Sequence, residues 1–163
     1  MAHSCIELYI HIIFSTKDRK QIIPQSHESR LHGYIQGILK KRNIPVIRIN
    51  GMHDHIHILL KLNSVVPLGT LIKEIKSYST AWMSTAWMKK EGFLQFAWQI
   101  GYGAFSCSIN HVDALTNYID NQKEHHKKFN FSEEVMRLCQ KWQVKWAYEE
   151  QTNENNSVNN EIS

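Results

Sequence analysis

Cysteine is scarce and badly placed for pairing. Cys5, Cys107 and Cys139 are isolated and odd in number, and no Cys-x-x-Cys occurs in the 163 residues. That argues against both a disulfide framework and a cysteine zinc site, and a reducing, cytoplasmic setting fits best. Long apolar runs are missing too. No stretch approaches the roughly 20 residues that cross a bilayer. The start, Met1-Ala-His-Ser-Cys-Ile-Glu7, has no basic leader and carries an early acid. A soluble protein with no membrane partner is expected. No internal repeat is evident. Positive charge is absent from one end, because residues 149–163 hold four glutamates and no lysine or arginine. That polar, asparagine-rich stretch reads as a disordered tail. What precedes it, 1–148, reads as one domain, long enough to bury a core without staples.

Hydrophobic residues make up 42% and charged residues 21% of the chain. Both are ordinary for a globular protein, so the chain as a whole is not disordered. The first 148 residues hold 19 basic and 11 acidic side chains, a net +8 that the tail partly hides. Such an excess favours a polyanionic partner through phosphate contacts and counterion release, although a solvated basic surface gives the same count.

Cys5–Phe14, rich in β-branched and aromatic residues, reads as a buried strand. It runs into a basic loop whose Lys17, Arg19 and Lys20 suit either phosphates or solvent. Leu31, Tyr34, Ile35, Ile38 and Leu39 recur at helical spacing, which predicts a helix over His27–Arg42 ended by Asn43 and Pro45. Ile44–Asn50 and His55–Leu62 read as two strands, joined in a hairpin at the Asn50-Gly51 turn signal. A second helix, Pro67–Met88, buries Leu68, Leu71, Ile72, Ile75, Ser79 and Trp82 and leaves Lys73 and Lys76 off that stripe. Trp98–Ser108 is the fourth strand, with a bulge or close backbone approach at Gly101 and Gly103. Ser108 or Asn110 can cap a third helix running to His126. A fourth, Phe131–Val144, enters through Ser132-Glu-Glu134. Strand, helix, strand, strand, helix, strand is the α+β, ferredoxin-like split βαβ order. It predicts a central antiparallel sheet with helices mainly on one face, plus a C-terminal helix that bears Tyr118, leaving the other face for a site or partner.

Within Gly51-Met-His-Asp-His-Ile-His-Ile-Leu-Leu60 the histidines alternate. A strand sends every second side chain to one face, so His55 and His57 project together, and two neutral imidazoles can ligate one divalent ion. With ten histidines in the chain, roughly 0.6 His-x-His pairs are expected by chance, so the motif needs support from elsewhere. The third helix offers it. Tyr118 and Gln122 lie four apart on one helix side, a phenolic oxygen that can be a nucleophile beside an amide oxygen that can ligate a hard metal. An ordinary amphipathic helix docked through Leu115 and Ile119 would show the same spacing.

Together, His55-Ile-His57 on a strand and Tyr118-x-x-x-Gln122 on a later helix resemble the single-tyrosine HUH transposases of the insertion sequence 200/605 family. The likeness extends to Phe14-Ser-Thr-Lys-Asp-Arg19, to Gly101-Tyr-Gly-Ala-Phe-Ser106, and to Tyr118 through His126 followed by Phe131-Ser-Glu-Glu134. It covers roughly residues 5–148 in consistent order. His53 is extra to the family pair, and the tail matches nothing.

The resemblance implies that His55, His57 and Gln122 hold Mg²⁺ or Mn²⁺, and that Tyr118 attacks a DNA phosphate to leave a 5′-phosphotyrosine and a free 3′-hydroxyl. Asp54 would orient a ligand histidine or simply occupy the turn. It also implies a single-stranded DNA substrate recognised partly through hairpins, and a homodimer in which active sites can be shared between subunits. Charge and location make Lys17, Arg19, Lys20, Lys73, Lys76 and Lys123 the candidate backbone contacts. Two rivals stand beside this reading. A histidine-triad nucleotide hydrolase would use His53, His55 and His57, but Asp54 breaks its apolar spacing and Tyr118 gains no role. A catalytically retired nucleic-acid-binding protein on the same fold would have no need to retain all four site residues.

Overall fold

The computed structural model describes residues 5–85 and 95–145. They fall into two units, one running up to His125 and the other beginning at His126.

The first unit contains β1 (Leu8–Ser15), α1 (Gln25–Lys41), β2 (Val46–Gly51), β3 (His55–Leu62), α2 (Leu68–Met83), β4 (Gly103–Cys107), α3 (Val112–Asp120) and α4 (Gln122–His125). The four strands form one sheet in the order β2-β3-β1-β4, with every neighbour antiparallel. This is the expected α+β, ferredoxin-like arrangement. Strand periodicity sends Ile10, Ile12 and Phe14 of β1 and Ile56, Ile58 and Leu60 of β3 to one face. There they meet the stripes of α1 (Leu31, Ile35, Ile38, Leu39) and α2 (Leu71, Ile72, Ile75), all buried. Each such side chain contributes about 1.5–3 kcal/mol of burial. Tyr34 of α1 stacks on Trp82 of α2 with ring centroids 5.0 Å apart, closing the layer.

The boundaries differ from the sequence expectation where particular backbone geometry intervenes. The hairpin turns at Met52–Asp54 rather than at Asn50-Gly51, because Gly51 still pairs with Ile56. A Cβ on Gly51 would stand 2.2 Å from the His55 carbonyl oxygen, so glycine is required by the partner strand and not by the turn. β4 is shorter than Trp98–Ser108. Trp98 makes only an isolated bridge to Thr16, and Gly101, at φ 89°, breaks the extended path. Gly103 is the close approach: a Cβ there would lie 2.7 Å from Ile13 Cγ2. The expected third helix is interrupted, with a 3-10 turn at Ile109–His111, then α3, then Asn121 at φ −91°, ψ 18° before α4. The far end of the second helix, to Met88, and the tail 149–163 lie outside the described residues.

The second unit carries α5 (Phe131–Lys141). Its cap is Asn130, whose side chain accepts from the Glu133 amide while Glu133 accepts from the Asn130 amide, a reciprocal box set two residues before Ser132. Within this unit the buried Glu134 carboxylate lies 2.8 Å from His126 Nε2. Cys5, Cys107 and Cys139 form no disulfide, and among the described residues no helix is long and apolar enough to cross a membrane.

Candidate functional site

The sheet face away from α1 and α2 is built from the opposite strand parity. His11 of β1 lies across from Leu59 and Phe105, Ile13 from His57 and Gly103, and Ser15 from His55. Asn50 of β2 pairs with His57 from the other side. His55 and His57 therefore stand on one face, as alternation requires, and both are fully buried. Their ring centroids are 5.2 Å apart with planes at 75°. His55 Nδ1 donates to Asp54 Oδ1 at 2.6 Å, which fixes that ring's tautomer and orientation. Asp54 thus occupies the turn and holds a histidine at once. His53 turns elsewhere, its Nδ1 lying 2.9 Å from the Ile23 carbonyl oxygen, where it ties down the segment before α1.

α3 lies over this face against β2. Ile119 is its buried anchor. The Asn50 amide donates to the Ile119 carbonyl at 2.8 Å and to the Asp120 carbonyl at 3.2 Å. Arg48, on the same face of β2, pairs with Asp120 at 3.0 Å. Carbonyls near a helix end have few helical donors, so side-chain donors on a neighbouring strand are effective docking contacts. The result places Tyr118 among imidazoles of its own chain. Its ring centroid is 6.0 Å from His57, 6.5 Å from His11 and 5.1 Å from His125, edge-on in each case. One turn later Gln122 is fully buried in α4. Tyr118 meets His57, which in turn meets His55; Gln122 lies past the break at Asn121, buried in the separate helix α4.

The basic residues divide. Lys17 and Lys20 are exposed on the loop after β1. That loop is fastened to the histidine hairpin: Thr16 N donates to the Asp54 carbonyl at 2.7 Å and Thr16 Oγ1 to the Lys20 carbonyl at 2.6 Å. Asp18 and Arg19 sit at φ 56° and 53°, a left-handed pair without glycine that such anchoring must hold in place. Lys73 is exposed on α2. Lys76 is not simply off the stripe. Its ammonium donates to the Gln99 carbonyl at 2.8 Å and to the Gly101 carbonyl, and burial pushes its pKa down to about 8. Lys123 pairs with Glu28 at 3.1 Å.

Sequence reasoning missed three residues of this face, His11, Asn50 and Arg48. A lone imidazole within the otherwise apolar run Ile10–Phe14 is a visible signal for the first. Asn50 reads as a turn residue, and nothing local reveals its helix partner.

A ferredoxin-like sheet with a buried histidine pair beside a helix-borne tyrosine agrees with a transposase, and the family match bears that class out. The family described as transposase IS200 like matches residues 4–122, and the chain belongs to it. DNA binding, transposition and an insertion-sequence setting come with that membership, as do DNA cleavage and strand transfer. The chain is 24% identical over 120 residues to the ISDra2 transposase TnpA of Deinococcus radiodurans, covering 72% of this chain and 86% of that one. Among solved structures it resembles a D. radiodurans R1 protein described as a transposase (TM-score 0.58, 20% identity, 75% of this chain and 95% of that one). It also resembles a REP-associated tyrosine transposase bound to a REP hairpin (TM-score 0.56, 12% identity, 77% and 72%). These last two likenesses are of fold.

Proposed function

We propose that this transposase cleaves and rejoins single-stranded DNA at insertion-sequence ends, with Tyr118 as nucleophile. The observation that carries the reading is the Tyr118 ring 6.0 Å from the buried His57 ring within one chain, on a helix tied to β2. Tyr118 Oη bonds to the scissile phosphorus as the P–O3′ bond breaks, giving a 5′-phosphotyrosine and a free 3′-hydroxyl. Bond energy is retained in the phosphotyrosine, so a 3′-hydroxyl can reverse the attack and rejoin strands without an added energy source. A single tyrosine suffices for both steps.

The donor set fits a divalent ion. Nδ1 of His55 is engaged by Asp54 and Nδ1 of His57 by His11, so Nε2 is the nitrogen each ring offers a metal, and Gln122 adds an amide oxygen. The amide and phosphate oxygens suit a hard ion such as Mn²⁺ or Mg²⁺, while the two imidazoles are donors that Zn²⁺ and other transition ions also accept. When bound, such an ion polarises a non-bridging phosphate oxygen and offsets charge in the transition state. The chain's own residues do the remainder. Asp54 aims His55, the Asn50 and Arg48 contacts aim α3, and Lys17, Arg19 and Lys20 supply phosphate contacts on the loop tied to the histidine hairpin, with Lys73 a further contact on α2. A REP-associated tyrosine transposase is described as bound to a REP hairpin, which supports a hairpin-bearing DNA partner here. The reading extends to a cytoplasmic homodimer, with residues 1–148 as the catalytic part and the tyrosine helix serving its own subunit or its partner's.

Incubation with a labelled single-stranded element end should yield a denaturant-resistant protein–DNA species. Tyr118→Phe should lose that adduct while keeping DNA binding, and an adduct formed by the variant refutes the nucleophile assignment. The same assay weighs the retired-binding-protein reading, which expects binding and no adduct from the wild type.

A further inference from the structure

Asp54 accounts for His55; at Nδ1 of His57 the contact is of another kind. What stands there is His11. This histidine is 2% exposed in the middle of β1, opposite Leu59 and therefore diagonal to His57. Its Nε2 lies 2.9 Å from His57 Nδ1, and the two rings stack with centroids 5.2 Å apart and planes within 15°. Diagonal neighbours on a sheet face are within reach of ring side chains, so the contact follows from register and not from a loop that could drift. Phe105 of β4 backs His11 on its far side, centroids 6.4 Å apart.

We infer that His11 is a positioning residue that holds His57 in the Nδ1–H tautomer, turning its Nε2 toward the metal. Two neutral imidazoles facing each other share one hydrogen. If His57 donates from Nδ1, His11 accepts at Nε2 and carries its own hydrogen on Nδ1. A neutral histidine ring left alone prefers the hydrogen on Nε2, the nitrogen a metal needs bare. Asp54, a carboxylate that can only accept, reverses that preference for His55; His11 does so for His57 when its own hydrogen sits on Nδ1, which is the inferred arrangement. The face thus has two orienting partners of different chemistry, a carboxylate for one ligand ring and an imidazole for the other. This inference rests on the metal reading of His55 and His57 given above. Outer partners of this kind typically change metal affinity ~10–100-fold when removed.

The test uses the full chain with ¹⁵N-labelled histidine, read by long-range ¹H–¹⁵N NMR without metal, together with Mn²⁺ titration followed by EPR. His11→Phe keeps a stacked ring and removes the acceptor; His11→Gln removes the ring and restores an acceptor. Wild type and His11→Gln should show His57 as Nδ1–H, and His11→Phe should move it to Nε2–H. Mn²⁺ binding should weaken ~10–100-fold in His11→Phe and recover most of that loss in His11→Gln. Wild-type affinity or an unchanged tautomer in His11→Phe overturns the inference, as does a His11→Gln variant as weak as His11→Phe. Should His11→Phe fail to fold, the metal-free wild type decides, since Nε2–H on His57 there overturns it. If His57→Ala leaves Mn²⁺ binding intact, the metal reading is what fails, and the tautomer measurement still judges His11 separately.

Discussion

Replacing Asn50 by alanine separates the docking of the tyrosine helix from the chemistry of the tyrosine. The Asn50 amide makes two bonds to the end of α3, at 2.8 Å to Ile119 and 3.2 Å to Asp120. The first is part-buried, and Ile119 itself is fully buried. Losing a part-buried hydrogen bond and leaving its carbonyl without that donor removes about 1–3 kcal/mol. The longer, exposed bond adds little. Against this stands the neighbouring Arg48–Asp120 pair, whose side chains are 45% and 43% exposed; a pair that open is worth about 0–1 kcal/mol. Taking ~2 kcal/mol for Asn50 and 1.4 kcal/mol per tenfold, amide exchange across residues 112–120 should speed up about thirtyfold in Asn50→Ala. In Arg48→Ala it should change by no more than about fivefold. Hydrogen exchange by mass spectrometry reads both. Single-stranded DNA cleavage by Asn50→Ala should fall in parallel, by at most the same factor, while DNA affinity holds. Exchange at wild-type rates in Asn50→Ala refutes the docking role, and so does an Arg48→Ala effect larger than the Asn50→Ala effect.

Four further outcomes test other parts of the structure. Gly103→Ala forces a Cβ to 2.7 Å from Ile13 Cγ2 and 3.0 Å from Phe105 Cε2; overpacking of about 1–3 kcal/mol should lower the Tm, and an unchanged Tm contradicts the close approach. Lys76→Met removes the ammonium from the Gln99 and Gly101 carbonyls, so exchange across 99–102 should rise while the salt dependence of DNA binding stays as in the wild type. Lys17→Gln and Lys20→Gln should do the opposite, each reducing the slope of log K against log salt by about 1, with thermal stability unmoved. His32, beside Glu28 and Lys123, is held below its usual 6.5 chiefly by burial, with Glu28 opposing and Lys123 adding to the shift. The unfolded chain then binds the proton first as pH falls, so this contribution is complete above 6.5 and is lost progressively below it. His32→Leu should flatten the Tm–pH curve between neutral and acidic pH, and an equally steep curve discards the assignment.

Much of the fold was legible because it depends on periodicity. The alternation of Ile10, Ile12 and Phe14, and the spacing of Leu31, Ile35 and Ile38, name both the elements and the buried faces, and β3 keeps its expected bounds at His55–Leu62. The element ends were less legible because each depends on a contact remote in sequence. Gly51 belongs to the sheet because the His55 carbonyl occupies the place of its Cβ, and Lys76 turns inward because Gln99 and Gly101 present carbonyls. Neither partner is visible in a local window.

The same distinction explains the site. His55 and His57 share a face by strand geometry alone, which any reader of the alternation can state. What makes that face specific is register: β1 against β3 sets His11 diagonal to His57, and β2 against β3 sets Asn50 directly beside it. One neighbour touches the ring's Nδ1; the other holds the helix that carries Tyr118. A one-residue slip of either pairing would reverse the parity of His11 or Asn50 and send it to the α1–α2 face. Ligand orientation and tyrosine placement are therefore controlled by two separate strand pairings. If so, a variant that perturbs β2 should disturb Tyr118 and leave the His57 tautomer alone, and one at His11 should do the reverse. Measuring the His57 tautomer in Asn50→Ala, and exchange across 112–120 in His11→Phe, checks that independence; a cross-effect in either direction would show that the two supports act as one unit.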